Sequence, residues 1–224
     1  MEAANFGAFM AGYSDGKFAT ALSTLATHPK ASDHADWVAS ACAVRASLLP
    51  KWNSREKPVS ESLGIPTWYY GNEPPNLFTS HTGKYFFNSV REDGLVSIAG
   101  GGIIFGPGNA GTVQEIFQDA PLNYYRGPDT RPTPMILLGI DYWNPPLLAE
   151  GKQRPSNDPR KPAWPLLTRL AEQAKDPFRA AVKLTDDPEE VIRFISDFHA
   201  RLIAEGATWK DRTERFKGRA IAVL

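Results

Sequence analysis

The sequence predicts an α/β fold, a parallel sheet flanked by helices, on three observations. From residue 65 onward, short apolar runs suited to strands alternate with stretches of helical periodicity. Residues 135–140 (MILLGI) are continuously apolar, as a central parallel strand buried on both faces must be. Residues 100–120 (GGGIIFGPGNAGTVQEIFQDA) combine a short apolar run, a glycine-rich turn and the start of a helix.

Taken in order, residues 2–13 predict a helix with Ala3, Phe6, Phe9 and Met10 on one side. Residues 17–26 predict a second, with Phe18, Leu22 and Leu25 apolar, and residues 33–49 a third. In the third, Asp33 is the expected N-cap, and Trp37, Ala41, Val44 and Leu48 form the stripe. Residues 51–62 are polar and predict a loop. Residues 65–70 (IPTWYY) are rich in β-formers and closed by turn residues, so they predict the first strand, with Trp68, Tyr69 and Tyr70 in its core. A long helix is expected over 78–99, then a buried strand at 103–105 and a helix over 112–120 with Val113, Ile116 and Phe117 apolar. The proline-rich stretch 121–134 predicts a loop, 135–140 a strand and 144–162 a long loop. A helix at 163–174, a strand at 180–184 and an amphipathic helix at 187–204 complete the pattern, with a charged tail beyond. That makes four strands.

The totals exclude several classes. The chain has 224 residues, enough for one full α/β domain. Twenty-five basic residues balance twenty-five acidic ones, so net charge indicates no nucleic-acid partner. No apolar run approaches the roughly 18–20 residues that span a bilayer, so no membrane partner is expected. The N-terminus lacks a basic n-region and is interrupted by Glu2, Asn5 and Gly7, unlike a signal peptide. A cytoplasmic location is the expectation. Cys42 is the single cysteine; it can form no intrachain disulfide and is expected to be a small core residue. No His, Asp or Glu set shows metal-ligand spacing.

The chemistry centres on the glycine turn. Gly106, Gly108 and Gly111 satisfy the G-x-G-x-x-G spacing of dinucleotide sites after a strand and before a helix. That fingerprint wants an acidic residue about 20 positions on, whereas the next strand ends near Asp141, about 30 on. This argues against a dinucleotide-dependent oxidoreductase. Gly106, four residues, Gly111 and Thr112 approach a P-loop, but the lysine that reaches the β/γ-phosphates is missing, which argues against a triphosphatase. A third reading remains. Gly108, Asn109, Ala110, Gly111 and Thr112 can wrap one phosphate with backbone N–H groups at a helix N-terminus and with the Thr112 hydroxyl. Glu115 follows one turn later on the same side, about where a bound nucleoside monophosphate would place its glycosidic bond. A plainer reading also fits: Gly108 and Gly111 would merely supply a tight turn needing positive φ, and Glu115 would be a solvent-facing glutamate.

The segment PGNAGTVQE resembles the P-G-G-x-G-T-x-x-E motif of the LOG-type, "lysine decarboxylase-like" Rossmann proteins, which include nucleoside 5′-monophosphate phosphoribohydrolases. In that family an arginine on the preceding helix works with the motif glutamate. Arg91 in NSVREDG stands at the corresponding place, with Glu92 where the family has lysine and Asn109 in place of the second motif glycine. The resemblance covers roughly residues 60–200, and its IPTWYYGNEPPN, MILLGIDYW and DDPEEVIRFI segments add to it. It implies a single Rossmann-like domain over residues 1–224: a helical N-terminal part (1–50), core βα units (60–205) and a tail (206–224). The resemblance further implies an N-terminal half-sheet that this sequence is expected to lack. The implied activity is hydrolysis of the N-glycosidic bond of a nucleoside 5′-monophosphate such as AMP, with Glu115 and Arg91 catalytic, no cofactor, and a homodimeric assembly. A nucleotide sensor without catalysis, or an inactive fragment, is the alternative. His81 is expected on the surface. Asp141, Tyr142 and Trp143 follow a strand end, where ligands of α/β proteins bind; they would line the base site or form an aromatic corner.

Overall fold

A computed structural model describes residues 2–29, 34–48, 61–69, 76–127, 130, 132–148, 150, 152–174 and 178–204. Asp33, most of the 51–62 loop, Tyr70, the 71–75 turn and the tail beyond 204 lie outside them. The chain is a mixed α/β protein with small parallel sheets. It divides into two compact units, Met1–Arg91 and Glu92–Leu224.

In the first unit, helices α1 (Glu2–Met10), α2 (Asp15–Leu25) and α3 (His34–Leu48) form where the apolar spacing places helices, but Phe18 and Leu22, expected on the apolar side of α2, are exposed and Ala21 is buried in their place. Phe6, Met10, Ala21, Ala41, Val44 and Phe78 form the core. Phe6 meets Phe78 edge-on with ring centroids 4.9 Å apart, and Phe9 tilts onto Phe78 at 5.5 Å. Cys42 corrects an expectation: it is exposed. The inward stripe of α3 takes Ala41 and Val44, which turns the position between them outward.

The predicted strand at 65–70 is also corrected. Regular pairing is confined to β1 (Leu63–Gly64), parallel to β2 (His81–Thr82), plus a single bridge between Thr67 and Tyr85. Pro66 has no N–H to donate, so the ladder is interrupted there. Trp68 and Tyr69 are accordingly exposed rather than core, at 52% and 69%. Trp68 stacks on Phe86, with the Lys84 ammonium 3.6 Å from its ring centroid. The long helix expected over 78–99 shrinks to α4 (Asn88–Ile98), because residues 81–82 pair as strand and Gly83 follows them.

In the second unit, β3 (Ile103–Phe105), β4 (Met135–Leu138) and β5 (Val182–Thr185) form a parallel sheet in that order. Ile103 pairs with Met135, and Leu138 with Thr185. The connections run through α5 (Ala110–Tyr124) and α7 (Trp164–Gln173), with a short α6 (Ile140–Trp143) directly after β4. Two right-handed crossovers in the same direction put α5 and α7 on one face, and the two helices do pack together there. On that face Phe105, Met135 and Leu137 meet Ile116, Ala120 and Leu167. The helix α8 (Pro188–Ala204) closes the chain's regular structure and adds Phe198 and Leu202 to the same core.

One exposure and three boundaries differ from expectation. Ile104, expected in a buried strand, is 52% exposed, since β3 is an edge strand and alternate residues point to opposite faces. The helix α5 continues through Pro121 to Tyr124, so the loop begins later. A reciprocal pair then locks the returning chain: Asn123 Nδ2 donates to the Thr133 carbonyl, and Thr133 N donates to Asn123 Oδ1, both at 2.9 Å. The apolar run at 135–140 ends as a strand at Leu138, because Gly139 turns left-handed at φ 116°. The strand expected at 180–184 begins at Val182, after a 3-10 turn over Arg179–Ala181. No helix among the described residues is long and apolar enough to cross a membrane.

Candidate functional site

The site is built where β3 ends and α5 begins. Asn109 is the N-cap of α5, with extended backbone, yet its side chain makes no capping bond. The first helical bond is Val113 N to the Asn109 carbonyl at 3.2 Å. The N–H groups of Ala110, Gly111 and Thr112 therefore precede the first donor with an i−4 partner, at the positive end of a fifteen-residue helix. Asn109 and Ala110 are exposed, so an anion reaches these donors from solvent. Thr112 and Glu115, both half-buried, stand one turn apart on the same helix.

Gly108 is a glycine for a reason other than the one expected. Among the described glycines positive φ occurs at Gly12, Gly102 and Gly139, and neither Gly108 nor Gly111 is one of them. At Gly108 the constraint is steric: a Cβ would stand 2.1 Å from Thr112 Oγ1 and 2.8 Å from Thr112 Cβ. The bare Cα lets the Thr112 side chain fold over the turn.

Behind the turn, the C-terminal ends of all three strands are tied together. Tyr142, on α6, donates its hydroxyl to the Gly108 carbonyl at 2.5 Å. Gly139 lies against Pro107, and a Cβ there would come 3.4 Å from the proline Cγ. Gly139 N donates to the Thr185 carbonyl at 2.9 Å, and Ile140 N donates to Asp186 Oδ1 at 2.7 Å. Trp143 is fully buried and donates Nε1 to the Leu138 carbonyl at 3.1 Å, so it is the aromatic corner rather than a base platform.

Beside α6 an ionic relay organises the long loop. Asp141 meets Arg160 at 3.4 Å, and Arg160 Nε donates to Asp158 at 2.9 Å. Asp158 also takes Arg154 Nη1 at 3.3 Å, and Arg154 Nη2 reaches the Pro145 carbonyl at 3.4 Å. Hydrogen bonds from Arg160, and then from Arg154, hold the Asp158 carboxyl well below the usual carboxylate range. The same contact with Asp158 raises Arg160 further. Farther along the strand ends, Lys183 at 2.5 Å and the Thr185 hydroxyl lower Glu190. Of the relay residues, Arg154 also lines a cleft of about 550 Å³, together with Asn144, Pro145, Pro146, Leu148 and Pro165, and no residue of the glycine turn lines it.

The sequence-predicted residues Gly108, Asn109, Ala110, Gly111, Thr112 and Glu115 come together on the β3–α5 junction. Arg91 belongs to the first unit; its Nε donates to Asn88 Oδ1 at 2.9 Å, and its Nη1 approaches the Ile65 carbonyl at 3.5 Å. Glu92, the next residue, is fully buried in the second unit and accepts a hydrogen bond from the Gln114 amide of α5. His81 is exposed, 4.0 Å from Glu61, on a strand rather than at a helix start. Sequence reasoning missed the contact of Tyr142 with Gly108 and the Asp141–Arg160–Asp158–Arg154 relay. The i, i+4 spacing of Arg154 and Asp158 was the one available signal, and nothing local pointed Arg160 back to Asp141. Among the described residues no group of three His, Cys, Asp or Glu side chains is placed to hold a metal ion. No family model, curated protein or solved structure matches the chain.

Proposed function

We propose that this protein is a LOG-like, Rossmann-type nucleotide-binding protein that hydrolyses the N-glycosidic bond of a nucleoside 5′-monophosphate. One observation carries the reading: a cap residue that does not cap, at a sterically enforced glycine turn, leaves the first N–H groups of α5 open beside Thr112, with Glu115 one turn away. A dianionic phosphate suits those donors, and the dipole adds to their attraction. The ribose then extends toward Glu115. As the base departs, positive charge builds on the sugar, and a carboxylate at that place stabilises it. Water attacks C1′ as the C1′–N bond breaks; its hydroxyl adds to C1′, and its proton passes to the Glu115 carboxylate and from there, by way of solvent, to the released nitrogen of the base, which returns Glu115 to the carboxylate. The product pair is free base and ribose 5-phosphate. Arg91 is proposed as the cationic partner of phosphate or sugar, and a cytoplasmic homodimer as the working form.

Incubation of the protein with AMP, GMP, CMP and UMP, followed by chromatography for free base, tests this. Release is expected from at least one of them. Glu115→Gln is expected to retain nucleotide binding while losing roughly 10²-fold or more of the rate. Binding without base release from any nucleotide makes the protein a sensor. Absence of both rejects the nucleotide site.

A further inference from the structure

We propose that the cleft beside α6 and α7 binds a small organic monoanion, a carboxylate on an apolar body, at a site separate from the glycine turn. Residues 144–148 leave α6, which itself follows the C-terminal end of β4. Pro162 precedes α7, and Pro165 stands in its first turn. Ligands of parallel α/β sheets bind outside the carboxyl ends of the strands, and the cleft lies on that side of β4. Its volume of about 550 Å³ falls in the range of small-molecule sites, roughly 300–1,000 Å³.

The lining selects the class of ligand. Pro145, Pro146, Pro162 and Pro165 supply apolar ring faces and, lacking a backbone N–H, no main-chain donors. Two cations, Lys152 and Arg154, stand against these walls, and no acidic side chain among the described residues lines the cleft. The two cations differ. Arg154 is already committed: Nη1 donates to Asp158 at 3.3 Å, and Nη2 to the Pro146 carbonyl at 2.5 Å. Its charge is balanced by Asp158, and it serves as a fixed part of the wall. Lys152 is exposed and makes no hydrogen bond or ion pair with a described residue. The cleft therefore carries one uncompensated positive charge beside an apolar surface. One carboxylate balances that charge, whereas a dianion such as phosphate exceeds it and leaves the apolar walls unused. An exposed lysine–carboxylate pair alone contributes little. The apolar body must then supply most of the affinity, and Lys152 the preference for an anion.

The test titrates the full chain with 1-naphthoate, its neutral amide 1-naphthamide, and inorganic phosphate, followed by amide NMR at pH 7. Naphthoate is expected to shift the amides of Asn144, Leu147, Leu148 and Lys152 saturably and to leave residues 109–112 unmoved. Lys152→Glu replaces attraction with repulsion and is expected to weaken naphthoate about tenfold while leaving naphthamide within about twofold. A general disturbance of the cleft would weaken both alike. The variant's melting temperature should match that of wild type, because Lys152 holds no described partner. Equal weakening of both probes, or an unchanged naphthoate affinity, overturns the proposal that the cleft selects an anion. Phosphate shifting the same amides as strongly as naphthoate also overturns it, since the apolar walls would then play no part. Naphthoate shifts confined to other surfaces, the Trp68–Phe86 stack included, reject the cleft as the site. Each of these failures leaves the nucleotide reading to its own test, which is read at the glycine turn.

Discussion

Two glycines of this protein look alike in sequence and are required for different reasons. Gly108 has no room for a methyl group beneath Thr112, whereas Gly139 has a backbone that L-residues avoid. Gly108→Ala must displace Thr112 Cβ as well as its hydroxyl, and a rotamer change moves the γ atoms but not Cβ. It is expected to lower stability by about 1–3 kcal/mol in urea denaturation and to abolish measurable AMP binding. Gly139→Ala carries a left-handed strain of about 1–2 kcal/mol and pushes on Pro107. Denaturation should show that loss, and AMP affinity should fall with it. An alanine tolerated at either position without loss of stability would contradict these assignments. The substitution of Asn for the second glycine of the family-like motif fits the same picture: Asn109 has negative φ, so nothing in its backbone demands glycine.

At the scale of elements, the loop at 144–162 is ordered by charge rather than by apolar burial. Asp158 has a folded-state pKa below its unfolded one, so its stabilisation is fully present above roughly pH 4. It is lost as pH falls below that toward the folded value. Asp158→Asn is expected to melt earlier than wild type at pH 7, with the difference narrowing as pH falls below about 4 and still open at pH 3, as followed by thermal scans across that range. Divergence that widens on acidification would refute the relay. Within α5, Pro121 lies four residues before the C-cap N–H that its own carbonyl accepts, so the helix forms around a position with no N–H to offer Phe117. Pro121→Ala restores that donor. The gain, up to about 3 kcal/mol in a helix interior, is reduced by the roughly 0.4–1 kcal/mol of unfolded-state entropy that proline removed. A net rise in the denaturation midpoint is expected, and a fall would show that the proline ring contributes packing instead.

For the whole molecule, the nucleotide reading makes a linkage prediction. AMP at about a hundred times its Kd should stabilise the protein by about 2.7 kcal/mol if it binds only the folded state. Hydrogen exchange should show the added protection at the start of α5 and around α6, the two elements that meet at Gly108. Protection spread elsewhere, with those elements unchanged, would place the ligand at another site, the 550 Å³ cleft included.

What the sequence by itself determined is local. The apolar run, glycines and helix periodicity of residues 100–120 specified a strand, turn and helix, because each signal depends on neighbours within a few positions. The first three helices were legible for the same reason. Their stripes repeat at 3.6 residues, and the errors, at Cys42 in α3 and at Phe18 and Leu22 in α2, were of facing, not of helix. Only tertiary structure decided the rest. The strand expected at 65–70 failed where Pro66 broke a ladder whose partner lies near residue 81, and the exposure of Trp68 and Ile104 followed from pairing and edge position. The hydroxyl of Tyr142 on Gly108, and Arg160 bridging Asp141 to Asp158, join chain segments brought together by the parallel crossovers. Such contacts follow from strand order and register, which are set by the burial of one whole sheet face and not by any stretch of sequence read alone.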